Sequence, residues 1–399
     1  MAFSQGVSGL KSASVSLDVI GNNIANSQTV GFKSSRAEFA DMYAGAMAGM
    51  GTRVAGVTQS FGSGAIEQTD RTLDLAINGN GFFRLEQGNE VVYSRNGQFN
   101  VDNQGYLVNA TGGRLTGYAG DSAGGDPIAL QVDNASSAAQ ATTTAGAVYN
   151  LDASTDAGSS STSSMTVYDS LGNAHAVQLT FTKLAEDADA VPAVPANAWQ
   201  LSASLNGEQI QLGESADGEA LFAQQMTFDG AGALTSEMPL SLNIGAPGTG
   251  ANDMTVALDL TGTTQYARDF ANTSIEQDGY AAGDLIGVSV SEDGLLIGRY
   301  SNNQTETLGR IALADFRNPQ GLESTGDNAW RETVESGQAL VGAVGSGQLG
   351  SLLAGALESS NVDLSEQLVS MIIAQRNYQA NSQTIQTQDQ IMQTLISMR

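Results

Sequence analysis

The chain contains no cysteine, so it has no disulfide framework, no thiolate nucleophile and no thiolate metal site. Histidine occurs once, at His175, so a Ser-His-Asp arrangement could be built around that residue alone. Its place beside Asn173 in a turn-forming cluster favours a solvated turn histidine over a catalytic one. Basic residues are scarce: 16 Lys and Arg against 42 Asp and Glu leave a formal charge of -26. That charge repels phosphate, which excludes nucleic acid as a partner and disfavours anionic membrane surfaces. No apolar run approaches the roughly 18 residues of a bilayer span, so no membrane insertion is expected. The first residues also lack the basic stretch, apolar run and small-residue cleavage site of a secretory signal. Carboxylate pairs will arise by chance among so many acids. The glycine-rich Gly79-Asn80-Gly81-Phe82-Phe83 lacks the Gly-Lys-Ser/Thr that would make it a phosphate loop. The Asp- and Gly-rich turns lack the spaced acids and closing Glu of a calcium loop. No catalytic residue, cofactor or metal is therefore expected.

What the chain does have is a seven-residue apolar repeat at both ends. Phe3, Leu10, Leu17 and Ile24 fall one heptad apart, with Gly6, Ala13 and Ile20 supplying the second seam position. Leu364, Met371, Tyr378, Ile385 and Met392 repeat the spacing near the other end, with Leu368 and Leu395 beside them. A repeat of about 3.5 residues per turn keeps one narrow seam facing a partner helix, so the two ends are expected to meet as a coiled coil. Asp363-Leu364-Ser365-Glu366 resembles a capping box, and the helix it starts would run about 50 Å at ~1.5 Å per residue. Residues 1–31 carry two charges, Lys11 and Asp18, and residues 363–399 carry five. Helices so poor in charge pairs gain little from their own surfaces and must be held by packing. One reading is an intramolecular helical hairpin that closes a globular domain. The other is a pair that packs against copies of itself, orders on assembly, and builds a filament through contacts that do not close into a ring. The uncharged outer faces favour the second.

Charge also divides the middle. Between Leu115 and Ala267 the sole basic residue is Lys183, against 17 acids, and five of the six prolines lie there. An inserted domain is the simplest account. Within it, Met165–Asp169 and Ala176–Lys183 read as a hairpin across Ser170-Leu171-Gly172-Asn173. Trp199–Leu205 and Glu208–Leu212 read as another across Asn206-Gly207, the dipeptide suited to a type I′ turn. The flanks, 71–118 and 281–355, carry short alternating strands punctuated by Gly and Asn, including runs on both sides of Arg95-Asn96-Gly97. They could form one β-domain interrupted by the insert. Glycine- and serine-rich stretches near 119–126 and 155–164 read as flexible joins.

Several runs resemble bacterial flagellar axial proteins of the hook and rod type. These are Phe3 to Leu10, Leu17-Asp18-Val19-Ile20-Gly21-Asn22-Asn23-Ile24-Ala25-Asn26, Gly31-Phe32-Lys33-Ser34, Glu358 to Ser365, Ala374 to Gln379, and Thr387 to Ile391. The resemblance continues through Leu73–Tyr118 and Gly279–Leu349, and the large insert is similar to hook rather than rod members. It implies a mainly β fold with terminal α-helices, a helical core domain from 1–31 and 361–399, and a linking segment at 32–70. It further implies an inner β-domain from 71–144 and 281–360 and an outer acidic β-domain from 145–280. The implied function is a non-enzymatic subunit that polymerises into a bendable joint transmitting torque from motor to filament. A rigid distal rod subunit is the alternative within the family, and a secreted acidic β-rich adhesin or enzyme the alternative outside it. Phe3, Leu10, Leu17, Ile20, Ile24, Leu364, Leu368, Met371, Tyr378, Ile385, Met392 and Leu395 would then form the assembly interface. Implied partners are other copies of the chain, a hook cap, the distal rod protein, the hook-filament junction protein and the flagellar type III export gate. Export would place the protein outside the cell, in the flagellar hook, without a cleaved signal peptide. Phe39-Ala40-Asp41-Met42-Tyr43 is similar to the motif shown to that gate; alternatively Phe39 and Tyr43, one helical turn apart, staple a local turn.

Overall fold

The computed structural model describes residues 2–42, 51–133, 136–187, 194–213, 219–245 and 250–397. The chain is mainly β with a helix at each end, as expected: α1 spans Ala2–Ala25 and α2 spans Leu364–Ser397. Among the described residues no helix is long and apolar enough to cross a membrane. The chain divides into two compact units, one of residues 1–134, 286–299 and 305–399, the other of 135–285 and 300–304.

In the first unit, strands from both flanks interleave in one twelve-stranded sheet. The strand Thr305–Asp315 pairs with Arg114–Ala119 at Arg310 and Tyr118, and with Phe82–Gln87 at Leu313 and Phe83. Beside it, Leu75–Asn78 pairs with Ser351–Ala354 and Ile66–Gln68 with Ala356–Glu358. Phe83, Leu85, Leu115, Ile311 and Leu313 are fully buried along the sheet. Phe61, Phe82, Tyr93, Phe316 and Trp330 stack edge to face at 4.8–5.9 Å. Such pairs add about 0.5–1.5 kcal/mol each beyond their buried area. The chain does not fold back on itself at Arg95-Asn96-Gly97. Glu90–Ser94 pairs with Phe82–Gln87, while Asn100–Val101 pairs with Leu107–Val108. Gly97 instead lies against Leu75, whose N–H donates to the Gly97 carbonyl at 2.9 Å, and only a residue without Cβ fits there.

The second unit is a sandwich of two five-stranded sheets. Thr144–Asp152 lies inside one sheet, between parallel and antiparallel neighbours, and Ala174–Lys183 and Ala198–Leu205 form the centre of the other. Trp199, Tyr149, Phe181, Leu179 and Val256 fill the space between them. Both expected hairpins are present, and the second turns at Asn206 (φ 54°) and Gly207 (φ 89°), as a type I′ turn requires. His175 is not a solvated turn residue. The alternation of its strand puts it on the inward face with Val177, Leu179 and Phe181, and Nε2 lies 2.9 Å from the buried Asp169 carboxylate. Asp169 also accepts from the backbone N–H groups of Leu171 and Asn173, so the pair closes the turn.

Neither glycine- and serine-rich stretch joins the units. Residues 119–126 lie within the first unit, after the strand Arg114–Ala119, and Ser160–Tyr168 is a strand of the sandwich. The second unit also takes in 135–144 and 281–285, because Ser137 bridges Gly283 and Gln140 bridges Tyr280. Asp278 secures this neck. Its carboxylate accepts from the N–H of Thr143 (2.8 Å), the hydroxyl of Thr143 (2.5 Å) and the N–H of Thr144 (3.0 Å). Partial burial pushes its pKa up, but these donors outweigh burial and hold it at about 2.

Within the first unit a buried ionic cluster lies between the end of α1 and the start of α2. Lys33 Nζ donates to Glu358 Oε1 at 2.7 Å and to the Gly62 carbonyl at 2.8 Å, and Arg95 donates to Glu358 Oε2 at 3.1 Å and to the Gly79 carbonyl at 2.9 Å. The Gly64 N–H adds a further bond to Oε1 at 2.8 Å. All three charged side chains are at most 4% exposed. Burial pulls Lys33 and Arg95 below their ordinary pKa values, against the opposing pull of Glu358. Gly31, at φ 69°, passes so close to Arg95 that a Cβ would meet its backbone, and its N–H donates to the Glu358 carbonyl at 2.7 Å.

Two outcomes follow from these contacts. Glu358→Gln leaves two buried cations short of their anion and should cost about 3–5 kcal/mol. Denaturant unfolding read by Trp330 should shift to a lower midpoint, while the transition read by Trp199 stays in place. Asp278 has its folded pKa depressed from 3.8 to about 2, so its contribution is complete above 3.8 and is lost as pH falls through about 2. Asp278→Asn should therefore destabilise the sandwich at neutral pH, with the difference from the parent chain vanishing near pH 2 in Trp199-monitored melts.

Candidate assembly interface

The helices pair antiparallel. Asn23 Nδ2 donates to Gln367 Oε1 at 3.2 Å, Gly9 lies against the Asn381 side chain, and Gly6 lies against Ile385. A Cβ on Gly9 would sit 2.7 Å from Asn381, so small residues set the close approach of the two backbones. The face of α1 turned to α2 therefore follows 6, 13, 20 and 9, 16, 23, a true heptad pair of positions. Gly6, Ala13 and Asn23 on this face are buried. The sequence placed one seam along Leu10, Leu17 and Ile24. Those residues flank the contact and are only half-buried, because bulky side chains would hold the backbones apart.

On α2 the facing residues are Gln367, Met371, Ala374, Asn381 and Ile385, of which Ala374 is buried and the rest half-buried. Leu364, Leu368, Tyr378 and Met392 belong to the predicted seam but are 43–57% exposed. Phe3 and Leu395 lie within the helices, and their side chains fall outside the described set. Of the twelve predicted seam residues, Ile20, Met371 and Ile385 thus face the partner helix, and four large apolar ones face away. Val369 and Ile372 add to the outward set at 58% and 51% exposure, while Ile373, 55% exposed, borders the groove beside Ala13 and Ile20. At its start α2 is capped by Asp363, whose Oδ1 accepts from the N–H groups of Ser365 (2.8 Å) and Glu366 (3.1 Å).

Asn23 is the residue that sequence reasoning missed here. It is 1% exposed, and its amide also donates to the Ser35 carbonyl at 2.8 Å while its oxygen accepts from the Ser35 N–H at 2.9 Å. A buried, satisfied Asn fixes register in a helical pair. The signal was a polar residue recurring on the small-residue face, one heptad beyond Ser16.

The segment after α1 is built, not slack. Ser35–Asp41 and Thr52–Gln59 form an antiparallel hairpin laid along α1, from Asn23 at its base to Ser8 and Ser12 near residues 51 and 52. Gln320 clasps the backbone of Gln59, and Trp330 Nε1 donates to the Gln59 side chain at 2.7 Å. Phe39 lies on the first of these strands, 42% exposed. Its extended backbone overturns the helical-turn staple, and Tyr43 lies outside the described residues.

With this geometry in view, the chain's likeness to known proteins is consistent along its length. Residues 4–33 match the flagella basal body rod protein family, 76–149 the flagellar hook protein FlgE/F/G D1 domain, 132–280 the flagellar basal body protein FlaE D2 domain, and 353–398 the flagellar basal body rod FlgEFG protein C-terminal family. The flagellar hook protein FlgE of Escherichia coli (strain K12) is 44% identical over all of both chains. That of Borreliella burgdorferi is 33% identical over 99% of this chain and 98% of its own. The crystal structure of Helicobacter pylori flagellar hook protein FlgE2 covers 73% of this chain at a TM-score of 0.52 and 15% identity, which shows a shared fold. A relative 44% identical from end to end settles the family: the chain belongs to the flagellar hook proteins.

Proposed function

We propose that the chain is a structural subunit, not an enzyme, that polymerises into the flagellar hook and transmits torque as a bendable joint. The observation that carries this reading is the outward apolar surface of α2. Leu364, Leu368, Val369 and Ile372 are 44–58% exposed on one capped helix. Each retains roughly 1 kcal/mol of unrealised burial, which contact with another copy would recover. A distal rod subunit is disfavoured by the D2-type match across 132–280 and by full-length identity to hook proteins.

Under this proposal the terminal helices form the interface between copies. The inward positions Ile20, Met371 and Ile385 hold the pair together, and Leu364, Leu368, Tyr378 and Met392 reach neighbours. The first unit supplies the inner β-domain and the sandwich the outer one. A hook cap, the distal rod protein and the hook-filament junction protein would meet the same ends at the limits of the polymer. Export through the type III gate would use Phe39 with Tyr43 before the hairpin forms, since pairing with Thr52–Gln59 commits that segment to the folded subunit.

Ile372→Lys tests the reading. Position 372 faces solvent, so the monomer should melt within about 0.5 kcal/mol of the parent chain. Polymerisation, followed by sedimentation and electron microscopy, should be lost. Normal tubes from this variant and from a chain lacking residues 363–399 would remove α2 from the interface.

A further inference from the structure

Among the described residues, the pairing register leaves the end of α2 with no helix beside it. Facing residues have numbers that sum to about 390, as Asn23 with Gln367 and Gly9 with Asn381 show. The start of α1 at Ala2 is thus level with Gln388, yet α2 continues to Ser397. The overhang is about 13 Å long at ~1.5 Å per residue. It carries Ile391, Met392 and Ile396 at 54%, 57% and 71% exposure, and Asp389 stands at its base.

Near the same end of this contact, the N-terminal half of α1 and the far end of the hairpin enclose a groove of about 600 Å³. Val7, Met42 and Val54 give it an apolar lining, and the exposed Lys11 and Arg53 stand at its rim. The overhang and the groove are complementary in kind: apolar side chains with one acid, against an apolar trough with two cations. The chain's own overhang cannot fill its own groove. Met392 lies about 15 Å along the axis from the level of Ser8, and an unbroken helix does not fold back.

We propose that the α2 overhang of one copy seats in the α1–hairpin groove of a second, with Ile391 and Met392 against Val7 and Val54 and Asp389 between Lys11 and Arg53. The contact joins different surfaces on the two copies, offset by about 15 Å along the helix axis, so it is heterologous and each copy offers both halves of the next contact. It rests on the reading of the chain as a polymerising subunit and specifies which surfaces meet.

The absence of cysteine allows a clean test. Chains carrying Val54→Cys and chains carrying Met392→Cys are mixed, polymerised and oxidised, then separated under non-reducing conditions. Disulfide-linked heterodimers in the mixture, absent when either variant polymerises alone, are expected, because a disulfide forms only where Cβ atoms approach to about 4 Å. Well-formed tubes without heterodimers would overturn the contact while leaving the hook reading intact; failure of the parent chain to polymerise would instead remove that reading. Charge exchange gives an independent measure should the cysteine chains not assemble. Asp389→Lys alone should raise the critical concentration about tenfold, and Lys11→Glu with Arg53→Glu in the same chain should restore it. An unchanged critical concentration for Asp389→Lys, or no restoration, would overturn the proposal.

Discussion

The carboxylate of Glu358 accepts from Lys33, Arg95 and the Gly64 amide in one buried site, so four separate stretches of chain converge on a single pair of oxygens. Two cations share one anion there, and desolvating all three is tolerable only while every partner is present. α1 ends and α2 starts close to this point. α1 leads into it through Gly31, and α2 leaves it after Asn361, which accepts from the Ser34 N–H and donates to the Ser60 and Gly62 carbonyls. The antiparallel register of the pair is therefore inherited from the cluster and is then fixed by Asn23 against Gln367. Helices this poor in charge pairs would not hold each other unaided.

That dependence explains the composition of the helical contact. The β-domain already brings the two backbones together, so the seam between them needs closeness more than apolar bulk, and Gly6, Gly9, Ala13 and Ser16 supply it. The large apolar side chains are released from intrachain duty. Leu364, Leu368 and Ile372 follow one another at four-residue steps along α2, a stripe that a single chain leaves in water.

The heptad spacing made the two helices and their meeting legible, and the Asn206-Gly207 and Ser170–Asn173 turns made the sandwich hairpins legible, because these signals are local. Of the two seam rows expected on α1, the one through Gly6, Ala13 and Ile20 is turned to α2, and the one through Leu10, Leu17 and Ile24 flanks the contact. Apolar residues at heptad spacing mark a buried stripe without saying whether its partner is in the same chain, and Leu10 and Gly9 differ by a single position. The Glu358 cluster was not legible, since Lys33, Arg95 and Glu358 lie far apart in sequence and are brought into reach by tertiary contacts such as Gly31 against Arg95 and the Glu358 carbonyl. His175 was misjudged for a related reason. The polar turn beside it suggested solvent, while the alternation of its strand already assigned it to the inside.

Charge divides the labour between the two parts of the chain. The stretch from Leu115 to Ala267 holds 17 acids against Lys183, and Lys183 is committed to the carbonyls of Ala153 and Thr155. Copies of such a surface repel at short range, within a Debye length of about 8 Å at physiological salt. They can lie near one another without adhering, which suits a joint that bends continuously. The ends are nearly neutral, with two charges in residues 1–31 and five in residues 363–399, so apolar burial there is not opposed by like charge. Under the proposed assembly, association falls to the helices. Raising ionic strength should ease the approach of the acidic surfaces and leave the proposed apolar contacts of α2 undiminished, because burial of apolar area is not screened by salt.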